Sequence, residues 1–387
     1  MKLTIAIPTF NRLPQLRQAI NTIRSLEIPL GLELHLAISN IASSDGTRDF
    51  LDTLELPGIT KHIYNTPYWE LRFKRDIRSN WVRLAGTVPR DSDWVWLHGD
   101  DDAILDPGVL HRVVALTQRP ENPHLLLFPQ AKRSKNSGQL YAGRLMDLCQ
   151  AYGFHEMLGW MSQLVMCGSL FFAAMSDFAR FAGESLDSHD PLIEERLGHR
   201  EIQADADPHN AEHLTISRVS AFHHASMVLK NARNHPAVFV DAQVIDEQSE
   251  LPPGQEDRAT RRSNENVRDR FFFLIDDFIE YLCLPARSVS PRFLRYVNKS
   301  LSDLLTNILA EDVLTSIDSA LPKIRKLERL YQLHDLMENE AQRQELAKSL
   351  QLIEHAMLTE SSESMLAVRA LYDETKKPRL PFEIIYT

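Results

Sequence analysis

Asp93-Trp94-Val95-Trp96-Leu97-His98-Gly99-Asp100-Asp101-Asp102-Ala103-Ile104-Leu105 is the stretch from which the fold can be read. The apolar run from Trp94 to Leu97 has strong sheet preference and predicts a short buried strand. Gly99 permits a sharp turn or a close approach to a ligand. Asp106 and Pro107 have the N-cap and first-turn chemistry of a helix start. Between strand and helix stand three consecutive carboxylates, which repel one another unless a cation neutralises them. A divalent cation that also holds a diphosphate fits, because hard metals take carboxylate and phosphate oxygens. A solvated acidic turn followed by a helix is the alternative reading of the same residues.

Upstream, the chain repeats one pattern. Leu3 to Ile7 reads as a strand that ends in Pro8-Thr9-Phe10-Asn11-Arg12, and Pro14 opens a helix carrying Leu16, Ala19, Ile20, Ile23 and Leu26 at helical spacing. Leu32, Leu34, Leu36 and Ile38 alternate as a second strand. It runs into the polar turn Ser39 to Thr47 and a helix with Phe50, Leu51 and Leu54. Ile59 to Tyr64 predicts a third strand, and Ile77, Trp81 and Leu84 a third helix, before the Trp94 strand. Strands alternating with helices imply an α/β fold, a mostly parallel sheet with helices on both faces. Ligands of such sheets bind at the carboxyl ends of the strands. The turns after Ile7, Ile38 and Leu97 therefore fall on one edge.

A chain of 387 residues can bury a large core. Its formal net charge of -10 disfavours wholesale nucleic-acid binding. Cys149, Cys167 and Cys283 have no metal-type spacing and fit a reducing cytoplasm. The N-terminus lacks the shape of a signal peptide, and no apolar run approaches a membrane span; the best, Phe271 to Ile275, is stopped by Asp276-Asp277. The expected location is the cytoplasm, with peripheral contact at the inner face of the membrane left open.

Four motifs, Ile7 to Arg12, Asn40 to Thr47, Arg78-Ser79-Asn80 and Gly99 to Asp102, occur in order, and together they resemble a family 2 glycosyltransferase of GT-A fold. The resemblance runs from the N-terminus to about Val240. It implies a Rossmann-like sheet, a nucleotide-sugar donor, Mn²⁺ or Mg²⁺, and transfer with inversion at the sugar carbon. By position, Pro8, Thr9, Asn11 and Arg12 would line the nucleoside pocket, with Asn80 beside it. Asn40 stands where the family usually has an Asp that accepts a hydrogen bond from uracil; its amide accepts but also donates. Asp45 matches an acid near the ribose, or caps the following helix. Asp100 and Asp102 match the Asp-x-Asp pair. By the resemblance Asp102, or Asp101 by a one-residue slip, would ligate the metal directly.

The acceptor hydroxyl needs a base. Gln163 to Phe172 reads as an apolar strand interrupted by Gly168, and the resemblance places it near the donor sugar. After it, His189-Asp190 occupies the place of the family's acidic pair. Asp190 is the candidate base and Asp187 the reserve, although Asp190 before Pro191 also makes an ideal cap. His209 and His213, four apart, could bind zinc but more simply share a solvated helix face. His223-His224 lies where some members of the resembled family place a metal-binding or phosphate-contacting His, or reads as an edge strand or turn, and Lys230, Arg233 and His235 read as a basic loop near the diphosphate or as surface charge.

Leu251 to Asp257 is a polar boundary, so the expected domains are 1–245, catalytic, and 262–387, helical. The helical part shows apolar stripes at Phe271 to Leu282, Leu301 to Leu309, Ile324 to Leu333 and Leu346 to Met357. Arg292, Arg295 and Lys299 share a face that an anionic headgroup or diphosphate-linked acceptor could meet, or water. The expected function is transfer of a hexosyl or related sugar, from a UDP-sugar by the resemblance, to a glycan or lipid-linked glycan acceptor in O-antigen or capsule synthesis. A homo-oligomer through the helical part is left open. The alternative is a degenerate transferase that binds nucleotide or glycan, recruits a partner and does not turn over.

Overall fold

The computed structural model describes residues 1–66, 77–129, 137–152, 163–181, 223–247, 272, 291–315, 321–337 and 339–375. The first elements are β1 (Lys2–Thr9), α1 (Leu13–Arg24), β2 (Glu33–Asn40), α2 (Thr47–Asp52), β3 (Ile59–Asn65), α3 (Ile77–Thr87) and β4 (Trp94–Leu97). Then follow β5 (Asp102–Ile104), α4 (Val109–Thr117), β6 (Leu125–Leu127), β7 (Leu140–Arg144), α5 (Leu145–Tyr152), β8 (Leu164–Cys167) and α6 (Gly168–Phe181). After these come α7 (His223–Ala232), β9 (Pro236–Val240) and β10 (Ile245–Glu247). Four helices complete the described chain: α8 (Pro291–Thr315), α9 (Lys323–Asp335), α10 (Glu340–Thr359) and α11 (Ser362–Thr375).

One sheet of eight strands has the order β3-β2-β1-β4-β8-β6-β9-β7. β1 runs parallel to β2 and β4, and β2 parallel to β3, as the alternation of strands and helices predicts. β8 is antiparallel to β4 and β6, and β7 is antiparallel to β9. Leu3, Ile5 and Ile7 of β1 and Leu34, Leu36 and Ile38 of β2 share a core with Leu16, Ile20 and Ile23 of α1. Each such side chain, fully buried, is worth roughly 1.5–3 kcal/mol, far more than any exposed ion pair.

Two compact units divide the chain. One comprises Met1–Leu148, Gly159–Val219 and Met227–Thr260; the other comprises Cys149–Leu158, Ser220–Ser226 and Arg261–Thr387. In the second, Leu301, Leu305 and Leu309 of α8, Leu327, Leu330 and Leu333 of α9, and Leu346, Leu350 and Ile353 of α10 are buried. Ile324, expected in that stripe, is 52% exposed, because it sits in the first turn of α9 on the outward side. The Asn339 side chain caps α10 by accepting from the Gln342 N–H at 3.0 Å. Lys326 Nζ and Asp312 Oδ2, both within the apolar interior, pair at 2.6 Å.

Several local expectations are corrected. The strand expected over Gln163 to Phe172 stops at Cys167 and becomes α6 at Gly168. A Cβ at Gly168 would lie 1.9 Å from the Ser92 carbonyl oxygen, and the Gly168 N–H donates to Asp93 at 2.7 Å. The backbone turns against its neighbour there, and only glycine fits. Asp106 does not cap α4 directly. Its carboxylate accepts from the Gly108 N–H at 2.9 Å, and the helix starts at Val109. Asp102 to Ile104, expected in a turn, pairs antiparallel with β10. His223 and His224 open α7 rather than a strand. Lys299 is not a free basic face: it pairs with Asp303 and Glu345, each at 2.8 Å. The side chains of Arg292 and Arg295 lie outside the described residues. Among the described residues no helix is long and apolar enough to cross a membrane.

Candidate functional site

Chain order puts β2 on one side of β1 and β4 on the other, so the connections diverge between β1 and β4. This is the switch point at which open α/β sheets form a crevice. Thr9 at the end of β1 lies in register with Asn40 of β2, and Asn40 with Asn65 of β3. Across the crevice, Thr9 Oγ1 donates to Asp100 Oδ2 at 2.8 Å. Arg12, just before α1, bridges two acids: its Nη1 reaches Asp100 Oδ1 at 3.1 Å and Asp101 Oδ2 at 2.7 Å. Asp102 is buried and folds back, accepting from the Gly99 N–H at 3.1 Å through Oδ2. A Cβ on Gly99 would stand 2.1 Å from that oxygen, so glycine is what lets the turn close around its own carboxylate.

On the β2–β3 side the polar side chains hold the loops. Asn40 Oδ1 accepts from the Ser43 hydroxyl at 2.5 Å and the Ser43 N–H at 3.2 Å, and Asn40 Nδ2 donates to Asn65 Oδ1 at 2.9 Å. Asn11, with a left-handed φ of 49°, accepts from the Ser44 N–H at 2.8 Å. Asp45 accepts from the Leu13 N–H at 2.8 Å and from Thr47 N–H and Oγ1 at 3.1 and 2.5 Å. Asp45 is not the N-cap of α2, a place that Gly46 takes, but its carboxylate ties the start of α1 to that of α2. Asn80 of α3 accepts from the Ser39 hydroxyl at 2.6 Å, and its Nδ2 reaches the Thr9 carbonyl at 3.5 Å. Asn80 thus braces two strand ends from beneath.

No protein-family model matches the chain. The abequosyltransferase RfbV of Salmonella typhimurium (strain LT2) is 30% identical over 104 residues, which are 27% of this chain and 29% of that protein. The chain therefore spans less than a third of the curated relative it matches. Among solved structures, S. aureus TarS 1-349 in complex with UDP-GlcNAc superposes with a TM-score of 0.54 at 10% identity, covering 98% of this chain and 93% of that one. A second structure of TarS 1-349 gives 0.50 at 11% identity with the same coverage. The fold is that of the GT-A glycosyltransferases.

Within this GT-A frame the acidic turn sets its own electrostatics. Burial pushes the Asp100 carboxyl up to about 6, against the pull of the Arg12 guanidinium. Burial likewise pushes His98 down to about 4. The His98 ring faces the Gln163 side chain, but neither ring nitrogen makes a well-formed hydrogen bond. The two shifts act oppositely on folding. His98 contributes stability above its ordinary 6.5 that is lost as pH falls through about 4. Asp100 contributes stability below its ordinary 3.8 that is lost as pH rises through about 6. In the wild type the two contributions largely offset each other between pH 4 and 6. Denaturant titrations of His98→Gln should show stability falling by about 3 kcal/mol relative to wild type as pH rises across that window. Asp100→Asn should show a rise of similar size, and parallel profiles for both variants would refute the assignment.

Of the expected site residues, Thr9, Arg12, Asp100 and Asp101 converge, and Asp102 closes the same turn. Pro8, in register with Ser39, and Asn11, Asn40, Asp45 and Asn80 sit at the neighbouring strand ends. Asp187, His189 and Asp190 lie outside the described residues, as do His209 and His213. Lys230, Arg233 and His235 do not approach the sheet edge that carries Thr9, Arg12 and Asp100. His235 directly precedes β9, which runs in the same sense as β4, so it stands at the opposite end of the sheet. There Lys230 pairs with Asp177 at 2.8 Å, Arg233 donates to the Lys230 carbonyl, and His235 shares a proton with His124 Nδ1 at 2.8 Å. Sequence reading missed Asn65 and Thr66. Their signal was available: a third parallel strand must end on the same edge as the first two.

Proposed function

We propose that this chain is a metal-dependent, inverting glycosyltransferase that draws on a nucleotide-sugar donor and extends a bacterial surface glycan, such as O-antigen or capsule, from the cytoplasmic side. The observation that carries this reading is the meeting of Thr9, Arg12, Asp100 and Asp101 at the β1–β4 crevice. The name of the abequosyltransferase relative, and the UDP-GlcNAc held by the TarS structure of like fold, support it. The domains we assign are 1–245 for catalysis and 262–387 for a helical region that serves the acceptor or a second copy.

Among the described residues no three His, Cys, Asp or Glu side chains are grouped to hold a metal, so a divalent cation here would take carboxylates of the acidic turn and fill its remaining positions with donor phosphate and water oxygens. The donors at the turn are all carboxylate oxygens, and a guanidinium already lies between two of them, so this corner accommodates positive charge. Asp102 and Asp100 would hold Mn²⁺ or Mg²⁺, which when bound would neutralise charge developing on the departing diphosphate. Thr9 orients Asp100, and Arg12 offers a second cation within reach of the same oxygens. Asp190, with Asp187 in reserve, is our candidate to take the proton from the acceptor hydroxyl as it attacks the face opposite the leaving group.

The test is calorimetric titration of the whole chain with a panel of nucleoside diphosphates, with and without Mn²⁺. Binding should require Mn²⁺ and weaken at least about tenfold in Asp102→Ala, a loss of about 1.4 kcal/mol. No binding by the wild type, or equal binding by the variant, overturns the reading. Binding without turnover is the second reading, favoured by the engagement of the Asn40 carbonyl within the protein. Steady release of nucleoside diphosphate in the presence of a glycan acceptor would exclude it.

A further inference from the structure

The polar groups at the tips of β1, β2 and β3 are oriented by an unbroken chain of hydrogen bonds, and the orientation leaves amide donors free while it fills the Asn40 side-chain oxygen. Both ends of the chain are unambiguous. A backbone N–H can only donate, and the Asp52 carboxylate can only accept. Asn65 Nδ2 donates to Asp52 Oδ1 at 3.2 Å, so Asn65 must turn its Oδ1 toward Asn40, whose Nδ2 donates to it at 2.9 Å. At the other end the Asn11 N–H donates to Ser43 Oγ at 2.9 Å, and that hydroxyl passes its proton to Asn40 Oδ1 at 2.5 Å. The Ser43 N–H also donates to Asn40 Oδ1, at 3.2 Å. Both lone pairs of the Asn40 oxygen are thereby filled. Asn11 Oδ1 is fixed in the same way by the Ser44 N–H at 2.8 Å, which leaves the Asn11 amino group as a donor.

What remains is one N–H on Asn40, the amino group of Asn11 and the hydroxyl of Thr66, which is buried and unpartnered. Thr66 is held beside Asn40 by its own N–H, which donates to the Asn40 carbonyl at 2.8 Å. Partly buried Phe10 packs against Ile41 and Ala42, the two residues that follow Asn40, so the flank of these tips is apolar. The β1–β3 half of a doubly wound sheet is its mononucleotide half, and a diphosphate resting at Asp100 and Arg12 places its nucleoside over these tips.

We propose that the base taken by this pocket is cytosine. The proposal rests on the nucleotide-sugar reading and replaces uridine, the expectation that comes from the resemblance. Cytosine presents two adjacent acceptors, O2 and N3, to the two free amides. Uracil puts an N3–H donor between its two carbonyls, and opposite the Asn40 and Asn11 amides that hydrogen meets further donors; the one acceptor left for it is the buried Thr66 hydroxyl, which accepts as well as donates. A buried polar group left without a partner is what lets hydrogen-bonding sites discriminate strongly. Adenine offers a single Watson–Crick acceptor beside a donor, and guanine places a donor at the centre of its edge.

Binding of CDP, UDP, GDP, ADP and dTDP to the full chain with Mn²⁺ tests this. CDP should bind at least about tenfold tighter than UDP or dTDP. Asn40→Asp restores an acceptor once Asn65 turns its amide toward the new carboxylate, so the ratio of CDP to UDP affinity should fall toward one or invert. Asn11→Asp, which keeps the bond from Ser44, should shift the ratio the same way and serves if Asn40→Asp does not fold. UDP binding as tightly as CDP, with binding still dependent on Asp102, overturns cytosine and leaves the transferase reading standing. Tighter GDP or ADP does the same. Failure of every nucleoside diphosphate to bind overturns the transferase reading itself.

Discussion

Asp312→Ala should cost the helical unit about 3–5 kcal/mol, because it removes the carboxylate that the buried Lys326 ammonium meets at 2.6 Å. Lys326 and Asp312 have side chains 0% and 1% exposed and pair at 2.6 Å, with the Lys326 Nζ also 5.4 Å from the centre of the Phe272 ring. Neither group can recover water without opening the interface between α8 and α9. The ring attracts the ammonium by at most about 2 kcal/mol, too little to replace the carboxylate. Urea unfolding followed by circular dichroism measures the loss. The double variant Asp312→Leu with Lys326→Met should return close to wild-type stability, since apolar side chains of similar size require no desolvation of charge. A single variant within about 1 kcal/mol of wild type would show that water reaches the pair in solution.

Arg12→Ala should destabilise the metal-free protein by about 2–3 kcal/mol, and millimolar Mn²⁺ should restore most of it. The loss is smaller than for a fully buried pair because the Arg12 side chain is 22% exposed and that of Asp101 32%. Asp100 is the partner that suffers, being 8% exposed and already pushed up by burial. Without the guanidinium its carboxyl rises further, so the variant should lose stability as pH climbs through the shifted value. Thermal melts at pH 5 and 8, with and without Mn²⁺, separate the cases. A loss that Mn²⁺ does not repair would mean that the cation does not share the place of the guanidinium.

Much of this was legible in the residues alone. Alternation of apolar runs with helical stripes identified β1 through β4, because a strand buried between two helical layers has little choice but Val, Ile, Leu and Trp. Turn chemistry located the strand ends that carry Thr9, Asn40 and Asp100. The β5–β10 ribbon was hidden, since three residues pairing with a segment more than a hundred positions away leave no local period. The reversal at Gly168 was hidden for a related reason: the atom that demands glycine belongs to Ser92.

Residue type alone determined that acids, amides and a guanidinium would gather on one edge of a parallel sheet, because strand direction follows from the helical crossovers between them. It also determined that Asn40 could either give or take a hydrogen bond. Only the tertiary structure decided which. The direction of that bond depends on Ser43, Asn65 and Asp52, brought together from the loop after β2, the end of β3 and the end of α2, and a side-chain amide has no orientation until its neighbours supply one. The same holds for Arg12, whose pairing with Asp100 and Asp101 joins residues some ninety positions apart and exists only because β1 and β4 lie side by side.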